Sequence, residues 1–129
     1  MSEPLALVID DEPDICELLS LTLGRMNINT ETAADVAGAK RLLGGKKFDL
    51  CLTDMRLPDG DGLALAHALL TDGSVGRAVF FTGTADPERI ARATPLGPLV
   101  NKSSGVQSLH DVVLRELVHQ TVRKRLFGG

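Results

Sequence analysis

Five polar side chains of this 129-residue chain could form one reactive site, because each of them comes where a short apolar run ends. Asp10 and Asp11 follow the first run, Asp54 follows another, and Thr82 and Lys102 follow two more. If these runs are parallel strands, all five residues meet at one edge of a sheet, where open α/β folds place their sites. The spacing therefore predicts a composite site built from distant parts of the chain.

The residue types indicate what such a site would hold. Three crowded carboxylates repel one another, and a divalent cation with oxygen ligands removes that repulsion. A lysine ammonium and a hydroxyl group nearby are typical partners of phosphoryl oxygens. We therefore expect a divalent cation and a phosphoryl group to bind together at this edge.

The composition is that of one ordinary globular domain. A net charge of −3, the absence of Trp and Tyr, and an aromatic content of only 3% disfavour nucleic acid as a direct partner. No basic and apolar leader opens the chain, and no apolar run approaches the length of a bilayer span, which disfavours a membrane partner. We expect a cytoplasmic protein in which Cys16 and Cys51 are buried, reduced thiols.

Apolar runs alternate with segments of helical period along the whole chain. The runs predict strands at 5–9, 27–32, 48–53, 77–81 and 96–101. Helices are predicted between and after them, at 13–23, 35–43, 63–70, 86–94 and 106–126. Five such units indicate an α/β fold with a single doubly wound, five-stranded parallel sheet and helices on both faces.

Four segments resemble the receiver domains of bacterial two-component response regulators. They are 7–13 (LVIDDEP), 49–63 (DLCLTDMRLPDGDGL), 80–83 (FFTG) and Lys102. Their order and spacing fit, and the resemblance spans nearly the whole chain. It implies a flavodoxin-like receiver fold and one receiver domain over residues 1–129. Its core lies at about 4–122, and a basic helix end and glycine tail occupy 123–129.

The resemblance implies a role for each site residue. Asp54 is the phosphoacceptor, and Asp11 and Asp54 hold Mg²⁺ through their carboxylates. The backbone carbonyl of Arg56 is a third protein ligand, and Asp10 assists through water or from the second shell. Mg²⁺ then offsets charge and bridges nucleophile and phosphate in an in-line transfer.

The remaining roles concern switching and partners. Lys102 pairs with Asp54 at rest and with the phosphoryl oxygens afterwards, while Thr82 moves towards the phosphoryl group. Arg56 and Thr84 flank the path of the hydrolytic water. The donor is a sensor histidine kinase, the output is an effector domain or downstream protein, and phosphorylation could drive a homodimer. Such a protein is not an enzyme, since it promotes only its own phosphorylation and dephosphorylation.

Two residues depart from the receiver pattern. Leu99 stands where receivers usually carry an aromatic residue that works with the Ser/Thr as a relay. Ser103 stands where a proline in a cis bond usually follows the lysine. We expect the first change to weaken the aromatic relay and the second to loosen the turn that aims Lys102.

Other interpretations of the same residues remain open. Asp10, Asp11 and Glu12 could form a helix cap, Thr82 could cap the next helix, and Lys102 could be a surface lysine. The chain could be a receiver-like interaction module that is never phosphorylated. It could also be a phosphatase with an aspartyl-phosphate intermediate, similar to the haloacid-dehalogenase-like enzymes, with Asp10 and Glu12 as its acids.

Overall fold

The computed structural model describes residues 3–83 and 86–126, with side chains up to residue 118 in the last helix. The strands are β1 (Leu5–Ile9), β2 (Asn29–Ala33), β3 (Phe48–Thr53), β4 (Arg56–Leu57), β5 (Gly60–Asp61), β6 (Val75–Thr82) and β7 (Leu99–Asn101). The helices are α1 (Pro13–Arg25), α2 (Val36–Leu43), α3 (Gly62–Thr71), α4 (Pro87–Ala93) and α5 (Val106–Leu126), with a 3₁₀ turn at Lys102–Ser104.

Five of the strands form one parallel sheet in the order β2-β1-β3-β6-β7, while β4 and β5 form a separate short antiparallel pair. The register sets Ile9 beside Thr53 and Ala33, and Thr53 beside Phe80. The carboxyl ends of β1, β2 and β3 are therefore level, and β6 and β7 continue two residues further at the same edge. The predicted doubly wound α/β fold is confirmed, and its topology places the residues after the strands at one edge.

Helices cover both faces of the sheet, which is why β1, a central strand, is apolar at every position. In β1, Ala6 and Val8 face α1 and α5, and they belong to a buried cluster with Leu109 of α5. Leu7 and Ile9 point to the opposite face, in a cluster with residues of α2 and α3. No helix in the described part of the chain is both long and apolar enough to cross a bilayer.

Three strands of the sheet have boundaries that differ from the predicted ones. β7 begins at Leu99 rather than 96, because the chain at Gly97 lies against β6: a Cβ at Gly97 would stand 2.0 Å from the Ala78 carbonyl oxygen. β2 begins later than predicted, since Asn27 takes the left-handed conformation (φ 61°) after α1. β6 is longer, from Val75 to Thr82.

The two cysteines differ in burial. Cys51 is fully buried in β3, and this burial raises the pKa of its thiol to about 12. Cys16 is only half-buried, and its thiol donates to the backbone carbonyl of Asp10 at 3.2 Å. The prediction of buried, unpaired thiols is thus confirmed for Cys51, whereas Cys16 is partly exposed beside the carboxylate cluster.

Candidate metal and phosphoryl site

Three carboxylates meet at the carboxyl edge of the sheet, as the sequence predicts. One oxygen each from Asp10, Asp11 and Asp54 lies within 4.8 Å of the other two. Asp10 is 2% exposed, Asp54 is half-buried and Asp11 faces solvent. The cluster thus combines a buried charge with an open side through which a cation can enter.

Backbone contacts fix the two inner carboxylates. The N–H of Asp10 donates to the carbonyl of Ala33 (3.0 Å), and the N–H of Asp54 donates to the carbonyl of Ile9 (3.0 Å). Both bonds continue the parallel ladder one step past the strands. The Thr53 hydroxyl also donates to the carbonyl of Asp54 (2.8 Å). Asp54 therefore projects from a backbone that is held on both sides.

Lys102 offsets part of the negative charge of this cluster. Its Nζ lies 2.9 Å from Oδ2 of Asp54, from Oδ2 of Asp10 and from Oε2 of Glu12. Burial would lower the pKa of Lys102, but its hydrogen bond to Asp54 and its contacts with the charged carboxylates of Asp10 and Glu12 outweigh this effect, so the pKa lies above its ordinary value. Lys102 is therefore a permanent cation at this edge and not a free surface lysine.

Asp10 is the most buried of the three carboxylates, so its negative charge has the largest desolvation cost. Burial raises its pKa, while the N–H of Glu12, which donates to Oδ1 at 2.9 Å, and Lys102 act in the opposite direction. Oδ2 of Asp10 is buried and meets Lys102 at ion-pair distance, without the angles of a hydrogen bond. A buried carboxylate oxygen with this incomplete coordination fits a cation site.

Thr82 contacts the other oxygen of Asp54. Its hydroxyl, 2% exposed at the end of β6, donates to Oδ1 of Asp54 at 2.9 Å. Lys102 holds Oδ2, so the two oxygens of Asp54 have different partners. The predicted movement of Thr82 towards a phosphoryl group concerns the phosphorylated state, and in this structure the hydroxyl contacts the Asp54 carboxylate itself. The residue also does not cap α4, since the side chain of Asp86 accepts from the N–H of Glu88.

The turn carrying Lys102 is closed by its own side chains. The Asn101 side-chain oxygen accepts from the N–H of Ser103 (2.9 Å) and from its hydroxyl (2.7 Å). No peptide bond in the described segments is cis. Asn101 thus holds the turn that we expected to be loose at Ser103. Leu99 is half-buried and packs against the cluster that contains Phe80.

The interpretation of Asp10, Asp11 and Glu12 as a helix cap is confirmed only for the position of Glu12. Glu12 occupies the N-cap position of α1, and its side chain makes no capping hydrogen bond. It binds Lys102 instead, which the sequence reasoning missed, because 90 residues separate the two side chains. The position of Glu12 directly after Asp10 and Asp11 was the feature of the sequence that could have indicated a role at the site.

The site opens into a cleft of about 550 Å³. Its lining includes Asp11, Asp54, Thr82 and Lys102, together with Arg56 on β4. The N–H of Arg56 points towards Oδ1 of Asp54 at 3.4 Å. Thr84 lies outside the described residues. The cleft brings carboxylates, a cation and a hydroxyl to one small volume, and this set can hold a divalent cation and a phosphoryl group.

The chain is similar to known proteins of one family. The family model described as "Response regulator receiver domain" matches residues 6–114. The response regulator protein PilR of Pseudomonas aeruginosa is 62% identical over 67 residues, covering 52% of this chain and 15% of that protein. The Regulator of RpoS of Escherichia coli is 31% identical over 133 residues, covering all of this chain and 39% of that protein. The chain therefore spans well under half the length of these curated relatives.

Solved structures agree on the fold. The signal receiver domain of an HD domain-containing protein from Pseudomonas fluorescens superposes with a TM-score of 0.86 at 24% identity, covering 97% of this chain and 94% of that one. The response regulator protein TrrA of Thermotoga maritima, solved in complex with Mg²⁺-BeF, gives 0.77 at 24% identity, covering 88% and 98%. With the family match over most of its length, this chain belongs to the response regulator receiver domains of two-component systems.

Proposed function

We propose that this receiver is a phosphorylation-dependent switch whose acceptor is Asp54. The observation that carries the proposal is the division of the Asp54 carboxylate between Lys102 on Oδ2 and Thr82 on Oδ1. An ammonium and a hydroxyl on either side of one carboxylate are placed to bind the oxygens of a phosphoryl group attached there. We propose a sensor histidine kinase as the donor.

The same carboxylates support a Mg²⁺ requirement. Asp11 and Asp54 would hold the ion, with the backbone carbonyl of Arg56 as a further ligand. Asp10 would assist through a water molecule or without touching the ion. Bound Mg²⁺ would supply charge neutralisation for phosphoryl transfer. The closeness of the three carboxylates and the buried Oδ2 of Asp10 support this, as does the Mg²⁺ in the related TrrA complex.

The transfer itself uses residues of this chain. An oxygen of Asp54 forms a bond to phosphorus while the phosphorus–nitrogen bond of the phosphohistidine breaks, and the donor histidine keeps that electron pair and takes up a proton. Lys102 stays with the new phosphoryl oxygens, and the Thr82 hydroxyl donates to another of them. The acyl phosphate adds charge at the carboxyl edge, and a change of this kind can bias a neighbouring loop.

The proposed switch also needs an output, which lies outside the described residues. The curated relatives are longer than this chain, which supports an attached effector domain or a downstream protein as the reader of the phosphorylated state. We propose residues 1–129 as one receiver domain with its core at about 4–122, a cytoplasmic location and a homodimer on phosphorylation. The basic side chains and glycine tail of 123–129 lie outside the described side chains.

The test is intact-mass analysis after incubation with Mg²⁺ and acetyl phosphate. We expect one added phosphoryl group that hydroxylamine removes, and none when a chelator is present or when Asp54 is replaced in Asp54→Asn. A folded wild-type protein that gains no phosphoryl group from acetyl phosphate or from a phosphorylated kinase would support the unphosphorylated interaction module instead.

A further inference from the structure

The turn between β4 and β5 is bonded to the start of a distant helix. Asp59 accepts from the N–H of Val36 with Oδ1 (2.8 Å) and from the N–H of Ala37 with Oδ2 (3.0 Å). These donors are the first two residues of α2 and lie 23 and 22 positions earlier in the chain. Asp59 therefore cross-links the segment that follows Asp54 to α2.

A second carboxylate completes the helix start. The first N–H groups of a helix have no partner within the helix. The side chain of Asp35, the N-cap of α2, accepts from the N–H of Gly38 (2.7 Å), and the two preceding N–H groups donate to Asp59 instead. Donation by Val36, and then by Ala37, holds the pKa of Asp59 below its usual range, so its carboxylate is ionised at neutral pH. The local cap and the cross-link are thus separate groups.

Apolar packing beside Asp59 extends the contact between the β4–β5 pair and α2. Leu57 of β4 is buried in the cluster that contains Ala39 and Leu43 of α2. Gly60 lies so near Val36 that a Cβ on it would stand 3.0 Å from the Val36 Cγ2. The short β4–β5 pair is therefore seated on α2 by apolar contacts as well as by the two hydrogen bonds.

The last residue of β2, just before the β2–α2 connection, is hydrogen-bonded to the carboxylate site as well. The carbonyl of Ala33, at the end of β2, accepts from the N–H of Asp10. The few residues from Ala33 to Ala37 thus join the backbone of the acid pair to the segment that contains Arg56. From this geometry we propose that Asp59 is a positioning residue, which holds residues 55–61 against α2 so that Arg56 is set for Mg²⁺ and phosphoryl transfer at Asp54.

This inference rests on the proposed function and makes a sharper claim about one carboxylate. Arg56 lies only two residues after the acceptor and three before Asp59, so the tie restrains a short stretch of backbone. Groups that orient a metal ligand without touching the metal govern affinity because they set its geometry in advance. Loss of the tie should free residues 55–61 while leaving the Asp54 side chain with Lys102 and Thr82.

The experiment compares Asp59→Ala with Asp35→Ala, a matched control that removes a cap from the same helix without touching residues 55–61. Mg²⁺ binding is measured by titration calorimetry, and amide hydrogen exchange is measured without metal, at a temperature at which circular dichroism shows both variants folded. We expect Asp59→Ala to weaken Mg²⁺ binding about 10-fold and to speed exchange across 55–61. Asp35→Ala should change neither.

Conservative replacement separates positioning from bulk stability. Asp59→Asn keeps one oxygen that can accept from one of the two N–H groups, so it should recover part of the Mg²⁺ affinity, and it serves as the test variant if Asp59→Ala does not fold. Equal Mg²⁺ affinity and equal exchange in the Asp59 and Asp35 variants would overturn this inference. Absence of Mg²⁺ binding by the wild type would instead count against the proposed function, and the exchange data would still decide the role of Asp59.

Discussion

Gly62→Ala is expected to destabilise the protein and to abolish Mg²⁺-dependent phosphorylation together. A Cβ at Gly62 would stand 1.9 Å from the carbonyl oxygen of Asp54 and 3.1 Å from the Thr53 hydroxyl oxygen. The N–H of Gly62 also donates to the carbonyl of Met55 at 2.9 Å. Because the obstacle is backbone, the acceptor segment itself must move. We expect a loss of about 3 kcal/mol in the free energy of unfolding, the upper end of overpacking costs.

Gly97→Ala is the matched control for this prediction. It creates a similar overlap, 2.0 Å from the Ala78 carbonyl oxygen, in the connection between α4 and β7 rather than beside the acceptor. Urea unfolding should show comparable losses of stability in the two variants, and intact-mass analysis under folded conditions should show a phosphoryl adduct only in Gly97→Ala. A Gly62→Ala protein phosphorylated at the wild-type rate would contradict the close contact described above.

Lys102→Met is expected to make the stability of the domain depend on Mg²⁺. The substitution removes the cation that lies 2.9 Å from Asp10, Asp54 and Glu12, and it leaves their charges to repel one another. Without Mg²⁺ the free energy of unfolding should fall by about 2–3 kcal/mol, less than for a fully buried broken ion pair because the site is open to solvent. Since the ammonium no longer opposes a second cation, added Mg²⁺ should raise the melting temperature more than in the wild type.

Lys46→Met controls for the loss of a lysine elsewhere. Lys46 pairs with Glu31 on the surface, with 47% of its side chain exposed, and such pairs contribute about 0–1 kcal/mol. Thermal unfolding with Mg²⁺ and with a chelator should show a wild-type response in this variant. If Mg²⁺ stabilised Lys102→Met less than the wild type, the account of Lys102 as the cation that offsets the repulsion among these carboxylates would be wrong.

The location of the site could be predicted because a local pattern and a topological rule coincide. Asp10, Asp54, Thr82 and Lys102 each follow an apolar run, and parallel strands carry such residues to one edge. The hydrophobic period was also sufficient to predict the five helices. The residue types of Asp35 and Gly44 predicted the two ends of α2, and Gly44 has the left-handed φ of 38°. These features depend on neighbours within a few residues of each other, and so they are visible in the chain.

Contacts between distant segments could not be predicted in the same way. The hydrogen bond between Glu12 and Lys102 and the hydrogen bonds from α2 to Asp59 depend on how the helices pack against the sheet. The start of β7 depends on how closely Gly97 approaches Ala78. The Asn101 turn lies within one short segment, but it depends on residues 102–104 forming a 3₁₀ turn, which the hydrophobic pattern does not indicate.

The central claim is that Asp54 is the phosphoacceptor, and chemical mapping of the phosphorylated residue tests it most directly. Borohydride reduces an acyl phosphate to the corresponding alcohol, so a phosphorylated aspartate becomes homoserine and marks its own position. After incubation with Mg²⁺ and a phosphodonor, reduction and peptide mass spectrometry should find homoserine at position 54 alone. Homoserine at Asp10 or Asp11, or a phosphorylated protein that gives no homoserine at 54, would contradict the assignment.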